Sequence, residues 1–433
     1  MNGRKLLALT SVLIGISFSI FAIWYFGFEK VEFGDAEDYI NAANAFLNGT
    51  PYPRQSVFHP MFRPPLFSFL IAVIWSVFPD SIIAVKLFQA VLHGATVFVI
   101  YKIAREVTRK ETPAFFGAMI CAVNPLLAAH TVDFYTEPLH TFLCASAMLL
   151  LVKFLKNDES LFFKAFFTGV VFGLATLCRP AILGVAVCLA AVVFLVQLKE
   201  AARVKRLAAS ALIIGGIFLT IAPWTFYNYR TTGEFILVND GFSYNLWLGN
   251  LRETIKLYEG GFESKEENER FANYVWGEVQ TEKLKELEET DNYSSLKLNE
   301  REKVWRREAV KEITRDYNLT ARLMLGKFIA FWTPFLNSFT YGDKIVAAVA
   351  LFVIGIYIFG IYGAYIFSRN ETGKKFIILL AVSFLVTTAI HVLIFGFVRY
   401  RVPNVDPYLS MLSGVALWQI ALKFFPNYKF LRN

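Results

Sequence analysis

Charged residues, cysteines and histidines are all scarce in this sequence. Of its 433 residues only 18% are charged, whereas 56% are hydrophobic and 16% are aromatic, and the mean hydropathy is +0.47. So little polar surface excludes an ordinary soluble domain. The four cysteines all lie inside apolar runs, so we expect small buried side chains rather than disulfides.

Familiar catalytic and binding motifs are also missing. The sequence has no pattern typical of a Ser-His-Asp triad, a P-loop or a zinc site, and its five histidines lack metal-ligand spacing. It has no clear internal repeat and no low-complexity tract. The net charge of +8 could indicate nucleic-acid binding, but the lysines and arginines cluster in short loops between apolar runs. We therefore interpret the basic residues as topology signals and expect no nucleic-acid partner.

The sequence is instead dominated by long apolar runs, each close to the ~20 residues that cross a bilayer core. They predict an all-α polytopic membrane protein of about ten transmembrane helices, or eleven to twelve if shorter runs also cross. The first run follows Arg4 and Lys5 and lacks a small-residue cleavage site, so we expect an uncleaved span. The predicted spans are 6–28, 82–104, 113–131, 138–155, 161–178, 180–198, 206–224, 343–367, 375–396 and 404–424.

The positions of the basic loops predict which side of the membrane each loop faces. Short basic loops follow alternate spans, which predicts that this side and both termini are cytoplasmic in a plasma (inner) membrane. Residues 66–78 are apolar but too few to cross, so we expect a short interfacial helix at the outer leaflet.

Composition divides the chain into three parts. Residues 1–224 form a predicted N-terminal transmembrane catalytic module that includes the first outer loop, 29–65. Residues 225–342 have soluble composition and form a predicted extracytoplasmic helical segment, in which 321–336 suits an interfacial helix. Residues 343–433 form the C-terminal transmembrane module.

Carboxylates and guanidinium groups gather in the predicted outer loops. Each has an ordinary structural explanation: Asp35 can cap a helix, Glu137 can lie at a helix N-terminus, and Arg399 and Arg401 can reach lipid headgroups. If they converge, a carboxylate can accept a proton from a hydroxyl and arginines can bind a phosphate. The pattern therefore suggests group transfer from a lipid phosphate. The candidate site residues are Asp35, Asp38, Tyr39, Arg63, Glu137, Arg179, Arg399 and Arg401.

Several motifs, taken together, resemble those of a known superfamily. They are GDAEDY at 34–39, RPPLF at 63–67, YTEPL at 135–139, GLATLCRP at 173–180, PWTFYNYRTTGEF at 223–235, GFSYNLWLGN at 241–250 and RYRVP at 399–403. In this order they resemble the GT-C membrane glycosyltransferases, in the branch of protein O-mannosyltransferase-like enzymes and aminoarabinose transferases.

The resemblance implies an inverting, single-displacement transfer of a hexose or pentose from a polyprenyl-phosphate donor on the outer face. Asp35 matches the proposed family base, with Asp38 as a rival. Arg63, and less closely Arg399 and Arg401, match the cations on the donor phosphate. The family's DxD motif is missing, so we expect no essential divalent metal or other cofactor. Supporting roles are expected for Tyr39, Glu137 and Arg179.

Other functions remain open at this point. A lipid-linked oligosaccharide polymerase or ligase would use a similar donor phosphate, and the acceptor could be a protein, lipid A, a polysaccharide or a glycolipid. A transporter or flippase is less well supported, because transporters place ionisable groups near the bilayer midplane. Here Lys86 and Lys102 lie near span ends, where they can reach the membrane surface, and only His93 is central. We expect His93 to be a satisfied core residue.

Overall fold

The structure is a computed structural model that describes residues 3–32, 34–53, 63–154, 161–196, 203–260, 262, 264–336 and 341–432. These residues form α-helices with short π and 3-10 turns, and the described ranges contain no strand. The helices in chain order are α1 (Gly3–Phe26), α2 (Ala36–Asn48), α3 (Pro65–Trp75), α4 (Ile82–Thr108), α5 (Glu111–Ala122), α6 (Pro125–Ala129), α7 (Glu137–Phe154), α8 (Leu161–Cys178), α9 (Ile182–Val196), α10 (Arg203–Thr232), α11 (Phe242–Gly249), α12 (Thr254–Glu259), α13 (Lys265–Asn273), α14 (Val279–Asp291), α15 (Leu298–Arg315), α16 (Tyr317–Trp332), α17 (Asp343–Phe367), α18 (Glu371–Leu393), α19 (Val398–Arg401), α20 (Asp406–Phe424) and α21 (Lys429–Arg432).

Long apolar helices confirm the predicted all-α polytopic membrane fold. Within the described residues, six helices are long and apolar enough to cross a membrane: α1, α4, α7, α10, α17 and α18. The predicted spans 161–178 and 180–198 correspond to the shorter apolar helices α8 and α9. The short run at 66–78 corresponds to α3, which has only 11 residues. The protein is thus a multi-pass membrane protein that also has shorter apolar helices.

The predicted span 113–131 is wrong as a single helix, because the chain breaks at Asn124. The Asn124 side chain accepts hydrogen bonds from the backbone N–H groups of Leu126 (2.9 Å) and Leu127 (3.3 Å). Pro125 follows as the first residue of α6, where a missing N–H costs nothing. An N-cap and an N1 proline together start a new helix, so α5 ends at Ala122.

Helix α20, at the predicted span 404–424, packs tightly between α5 and α17. A Cβ atom added to Gly414 would lie 2.2 Å from the Phe116 carbonyl oxygen, and one added to Gly363 would lie 2.0 Å from that of Leu412. Glycines at these crossings let the helix backbones approach closely, as is common between membrane helices. This packing fixes the start of α20, and the turn α19 before it, against the rest of the fold.

Helices α1 and α4 run antiparallel, and buried polar groups fix their register. Ser19 Oγ lies 2.7 Å from His93 Nδ1, and His93 Nε2 lies 3.3 Å from the Cys121 carbonyl oxygen, as expected for a satisfied core histidine. Lys86 donates from Nζ to the carbonyl oxygens of Gly27 (2.9 Å) and Lys30 (2.5 Å). The expectation that Lys86 reaches the membrane surface is therefore wrong: the side chain is fully buried and holds the start of the first loop.

The segment between α10 and α17 has a core of its own. Trp247 from α11 packs on Trp305 from α15 with ring centroids 4.7 Å apart, and Trp305 Nε1 donates to the Tyr293 hydroxyl at 2.7 Å. The Glu234 carboxylate accepts from the backbone N–H groups of Leu298 (2.8 Å) and Asn299 (2.7 Å), which caps α15 from the end of α10. This segment is thereby anchored beside the C-terminal ends of α10 and α18.

Candidate active site

The first cluster of site residues joins the start of α2 to the start of α3. Arg63 donates from Nη2 to Asp35 Oδ1 (2.5 Å) and from Nε to Asp38 Oδ2 (2.9 Å). Pro64 is extended and Pro65 is the first residue of α3, so the proline pair holds Arg63 just outside the helix. Asp35 occupies the N-cap position of α2, but its side chain makes no capping bond. Its carboxylate is paired with Arg63 instead and remains 34% exposed.

Tyr39 supports this cluster from one turn further along α2. The Arg63 guanidinium carbon lies 5.7 Å from the centre of the Tyr39 ring, within the range of a cation–π contact. Burial raises the pKa of Tyr39 well above its ordinary value, so the phenol stays neutral. Burial alone would lower the pKa of Arg63, but the neighbouring Asp35 and Asp38 carboxylates outweigh this effect and the pKa is raised.

The second cluster is built around Glu137, the first residue of α7, whose side chain is fully buried. Its Oε1 atom lies 2.5 Å from Arg179 Nη1 and also accepts from Arg399 Nε. Arg179 follows α8 and precedes Pro180, whereas Arg399 lies in the short helix α19. Three distant parts of the chain thus meet at one carboxylate, leaving an excess of one positive charge.

Aromatic rings hold the two guanidinium planes of this cluster. The Arg399 guanidinium lies 5.1 Å from the centre of the Tyr135 ring, and that of Arg179 lies 5.3 Å from the centre of the Tyr400 ring. Burial alone would lower the pKa of Arg399, but the Glu137 carboxylate outweighs this effect and the pKa of the guanidinium is raised. Both arginines are therefore fixed, charged groups of the kind that binds phosphate oxygens.

A single cavity of about 720 Å³ brings the two clusters together. Asp35, Tyr39, Arg63, Arg179 and Arg399 all line its wall. Another part of the wall is apolar and comes from α9 and the C-terminal end of α18. Its members are Leu183, Gly184, Val187, Ile390 and Ile394. The cavity can therefore accept a molecule with an anionic head and an apolar body.

Two of the predicted site residues, Asp38 and Arg401, do not line this cavity. Asp38 does not line the cavity and pairs with Arg63 at the Nε atom. Arg401 is fully buried elsewhere: it makes two hydrogen bonds to Asp406 and others to the carbonyl oxygens of Phe331 and Thr333. The structure therefore does not bring Arg401 to the cavity in which Arg399 lies.

Several residues of the cavity wall were missed by the sequence reasoning. They are Asn239, Phe242, Asn245, His391 and Tyr400. Two of them, Phe242 and Asn245, belong to the motif GFSYNLWLGN at 241–250. The sequence alone does not distinguish the residues of this motif that face the cavity from those that are buried in the core. His391 lies inside an apolar span, and its Nδ1 atom is 2.8 Å from the Thr387 carbonyl oxygen.

The described residues contain no group of three or more histidine, cysteine, aspartate or glutamate side chains placed to hold a metal ion. The expectation that no metal is essential stays a prediction.

Comparison with known proteins agrees with the resemblance seen in the motifs. The family model described as dolichyl-phosphate-mannose-protein mannosyltransferase matches residues 62–227, which include Arg63, Glu137 and Arg179. No curated protein sequence matches the chain. The resemblance to GT-C superfamily glycosyltransferases is thus confirmed.

Solved structures show the same fold. The archaeal oligosaccharyltransferase AglB from Archaeoglobus fulgidus, in complex with an inhibitory peptide and a dolichol-phosphate, matches at 14% identity with a TM-score of 0.56, over 100% of this chain and 52% of that chain. The Archaeoglobus fulgidus oligosaccharyltransferase tethered with an acceptor peptide matches at 15% identity with a TM-score of 0.58, over 99% and 51%. This chain spans about half the length of these proteins.

A third solved structure is ArnT from Cupriavidus metallidurans bound to undecaprenyl phosphate. It matches at 11% identity with a TM-score of 0.44, over 98% of this chain and 79% of that chain.

Proposed function

We propose that this protein is a glycosyltransferase that moves a sugar from a polyprenyl-phosphate donor to an acceptor hydroxyl. One observation carries the proposal: a partly exposed carboxylate, Asp35, and two guanidinium groups, Arg179 and Arg399, line one cavity that also has an apolar part from α9 and α18. The matched family is named for a dolichyl-phosphate-mannose donor, and AglB holds a dolichol-phosphate. Both support a lipid-phosphate donor here.

In the proposed reaction the acceptor hydroxyl attacks the anomeric carbon of the sugar. Asp35 accepts the hydroxyl proton, the bond from the anomeric carbon to the phosphate oxygen breaks, and the polyprenyl phosphate leaves with the bonding electrons. The configuration inverts because the displacement is single. General-base catalysis of this kind increases the reaction rate by roughly 10²- to 10⁴-fold.

The arginines divide between two tasks in this proposal. Arg63 already donates to Asp35 and Asp38, so we assign it to orienting the base, with Asp38 holding Arg63 in place. Arg179 and Arg399 bind the donor phosphate, because together they carry one more charge than the Glu137 between them. Negative charge develops on the phosphate as it leaves, which such preorganised cations stabilise.

The donor is expected to enter from the lipid with its chain along the apolar wall of α9 and α18. The basic loops predict that the cavity opens on the extracytoplasmic face of the plasma (inner) membrane. The sugar, whether hexose or pentose, and the acceptor are left to experiment.

The test combines transfer and binding measurements on purified protein. Radiolabelled polyprenyl-phosphate sugars are supplied one at a time with cell-envelope extract as the acceptor source. Asp35→Asn should lower transfer by about 10²-fold or more while polyprenyl phosphate still binds, since the arginines are untouched. Asp38→Asn, the matched control, should lower transfer far less. Transfer by Asp35→Asn at the unchanged rate would rule out Asp35 as the base.

A further inference from the structure

A second cavity, of about 710 Å³, lies between α1 and α4 at the other end of the molecule. Most of its wall is apolar. Leu9, Val91 and Phe98 line it and are 43%, 50% and 41% exposed, so the cavity opens sideways toward the surroundings of the spans. In a membrane helix such exposed apolar side chains face lipid chains. The shape therefore suits an acyl chain.

One end of this cavity is lined by cations. Because α1 and α4 are antiparallel, the Ser19–His93 and Lys86–Gly27 contacts set a register that brings Lys5 level with the end of α4. Lys5, Lys102 and Arg105 all line the cavity there. Arg105 is paired with Glu111 at 2.7 Å. Glu111 also lines the cavity, and the Lys102 amino group lies 5.0 Å from the centre of the Phe98 ring.

The cationic end lies far from the candidate active site. Asp35 follows the last residues of α1, whereas Lys5 is near its first, and a helix of 22 residues spans roughly 33 Å. The two sites therefore lie at opposite faces of the membrane, and the second one does not depend on the proposed reaction.

We propose that this cavity binds one anionic phospholipid of the leaflet opposite the active site. Lys5 and Lys102 hold the phosphate of the headgroup, and an acyl chain lies against α1 and α4 in the apolar part. Arg105 contributes little to binding of the phosphate, because its charge is already neutralised by Glu111. Basic pockets between membrane helices bind anionic headgroups in this way, and each lysine near the surface contributes appreciably.

The experiment titrates delipidated protein with phosphatidylglycerol and follows bound lipid by native mass spectrometry, with zwitterionic phosphatidylcholine for comparison. The double variant Lys5→Gln/Lys102→Gln should bind phosphatidylglycerol roughly 10- to 30-fold more weakly and phosphatidylcholine unchanged. The variant Lys5→Arg/Lys102→Arg keeps the charge and should bind as the native protein does.

Two further variants keep the proposal open to refutation. Lys423→Gln removes an exposed lysine near the end of α20, at the same face but outside the cavity, and should change nothing. Ala95→Trp fills the apolar part and should weaken binding of both lipids. The proposal is overturned if the double glutamine variant binds phosphatidylglycerol normally, if Lys423→Gln weakens binding equally, or if Ala95→Trp has no effect.

Discussion

Arg399 and Arg401 lie two residues apart in the motif RYRVP, yet the structure gives them different surroundings. Arg399 lines the candidate active-site cavity and shares Glu137 with Arg179, and its side chain is 29% exposed. Arg401 is fully buried against Asp406. Replacing each by glutamine, one at a time, should therefore separate phosphate binding from folding.

Arg401→Gln should mainly destabilise the protein. The change leaves the fully buried Asp406 carboxylate without its cation and removes donors to the carbonyl oxygens of Phe331 and Thr333. Breaking a buried ion pair by removing one partner costs about 3–5 kcal/mol. Lipid-phosphate affinity of the protein that remains folded should stay the same, because Arg401 does not line the cavity.

Arg399→Gln should mainly weaken donor binding and turnover. A hydrogen bond to a charged group contributes about 1.5–3 kcal/mol, which corresponds to roughly a 10- to 150-fold loss in kcat/KM or in affinity for polyprenyl phosphate. Stability should fall less than in Arg401→Gln, because Glu137 keeps Arg179 at 2.5 Å as a partner.

The assay measures both properties on the same purified samples. Thermal unfolding is followed by tryptophan fluorescence, and binding is measured with radiolabelled polyprenyl phosphate below the unfolding midpoint. The reasoning is refuted if Arg401→Gln lowers affinity as much as Arg399→Gln at an unchanged midpoint, or if Arg399→Gln binds the lipid phosphate normally.

Two further predictions concern the segment between α10 and α17. Glu234→Ala removes the carboxylate that caps α15 and should destabilise this segment by about 1–2 kcal/mol. Limited proteolysis within the segment should therefore become faster. Glu300→Ala removes only one capping hydrogen bond and should have less effect. Burial lowers the pKa of Lys327 to about 7, so the folded protein binds fewer protons than the unfolded chain between about pH 7 and 10 and stability should rise with pH in that window. Lys327→Met should flatten this dependence, and an unchanged slope in denaturant titrations would contradict it.

Much of the fold could be predicted from the sequence because membrane helices have a strong local signal. A run of about 20 apolar residues must be helical in lipid, so the six long spans follow from composition alone. The break at Asn124 was also visible locally, as an Asn-Pro pair that can cap and start a helix, but continuous hydropathy on both sides concealed it. Lys86 was misjudged because its partners are carbonyl oxygens of the distant first loop.

The site could be predicted only as a set of residues. Charge in the loops pointed to Asp35, Arg63, Glu137, Arg179 and Arg399, which the structure brings together around one cavity. Their pairing could not be predicted, because Arg399 contacts a residue 262 positions earlier in the chain. Tertiary packing also decides which arginine of the RYR motif faces the cavity, and no local pattern distinguishes the two.

The net positive charge of the second cluster fits the increase in negative charge on the phosphate during the proposed reaction. A sugar-linked polyprenyl phosphate carries one negative charge, which the single excess positive charge of Glu137, Arg179 and Arg399 matches. After transfer the phosphate becomes a monoester with a charge of about −1.5 to −2 at neutral pH. In the proposed reaction the fixed arginines would therefore stabilise the leaving group more than the donor, which is the condition for accelerating bond breaking rather than merely binding substrate.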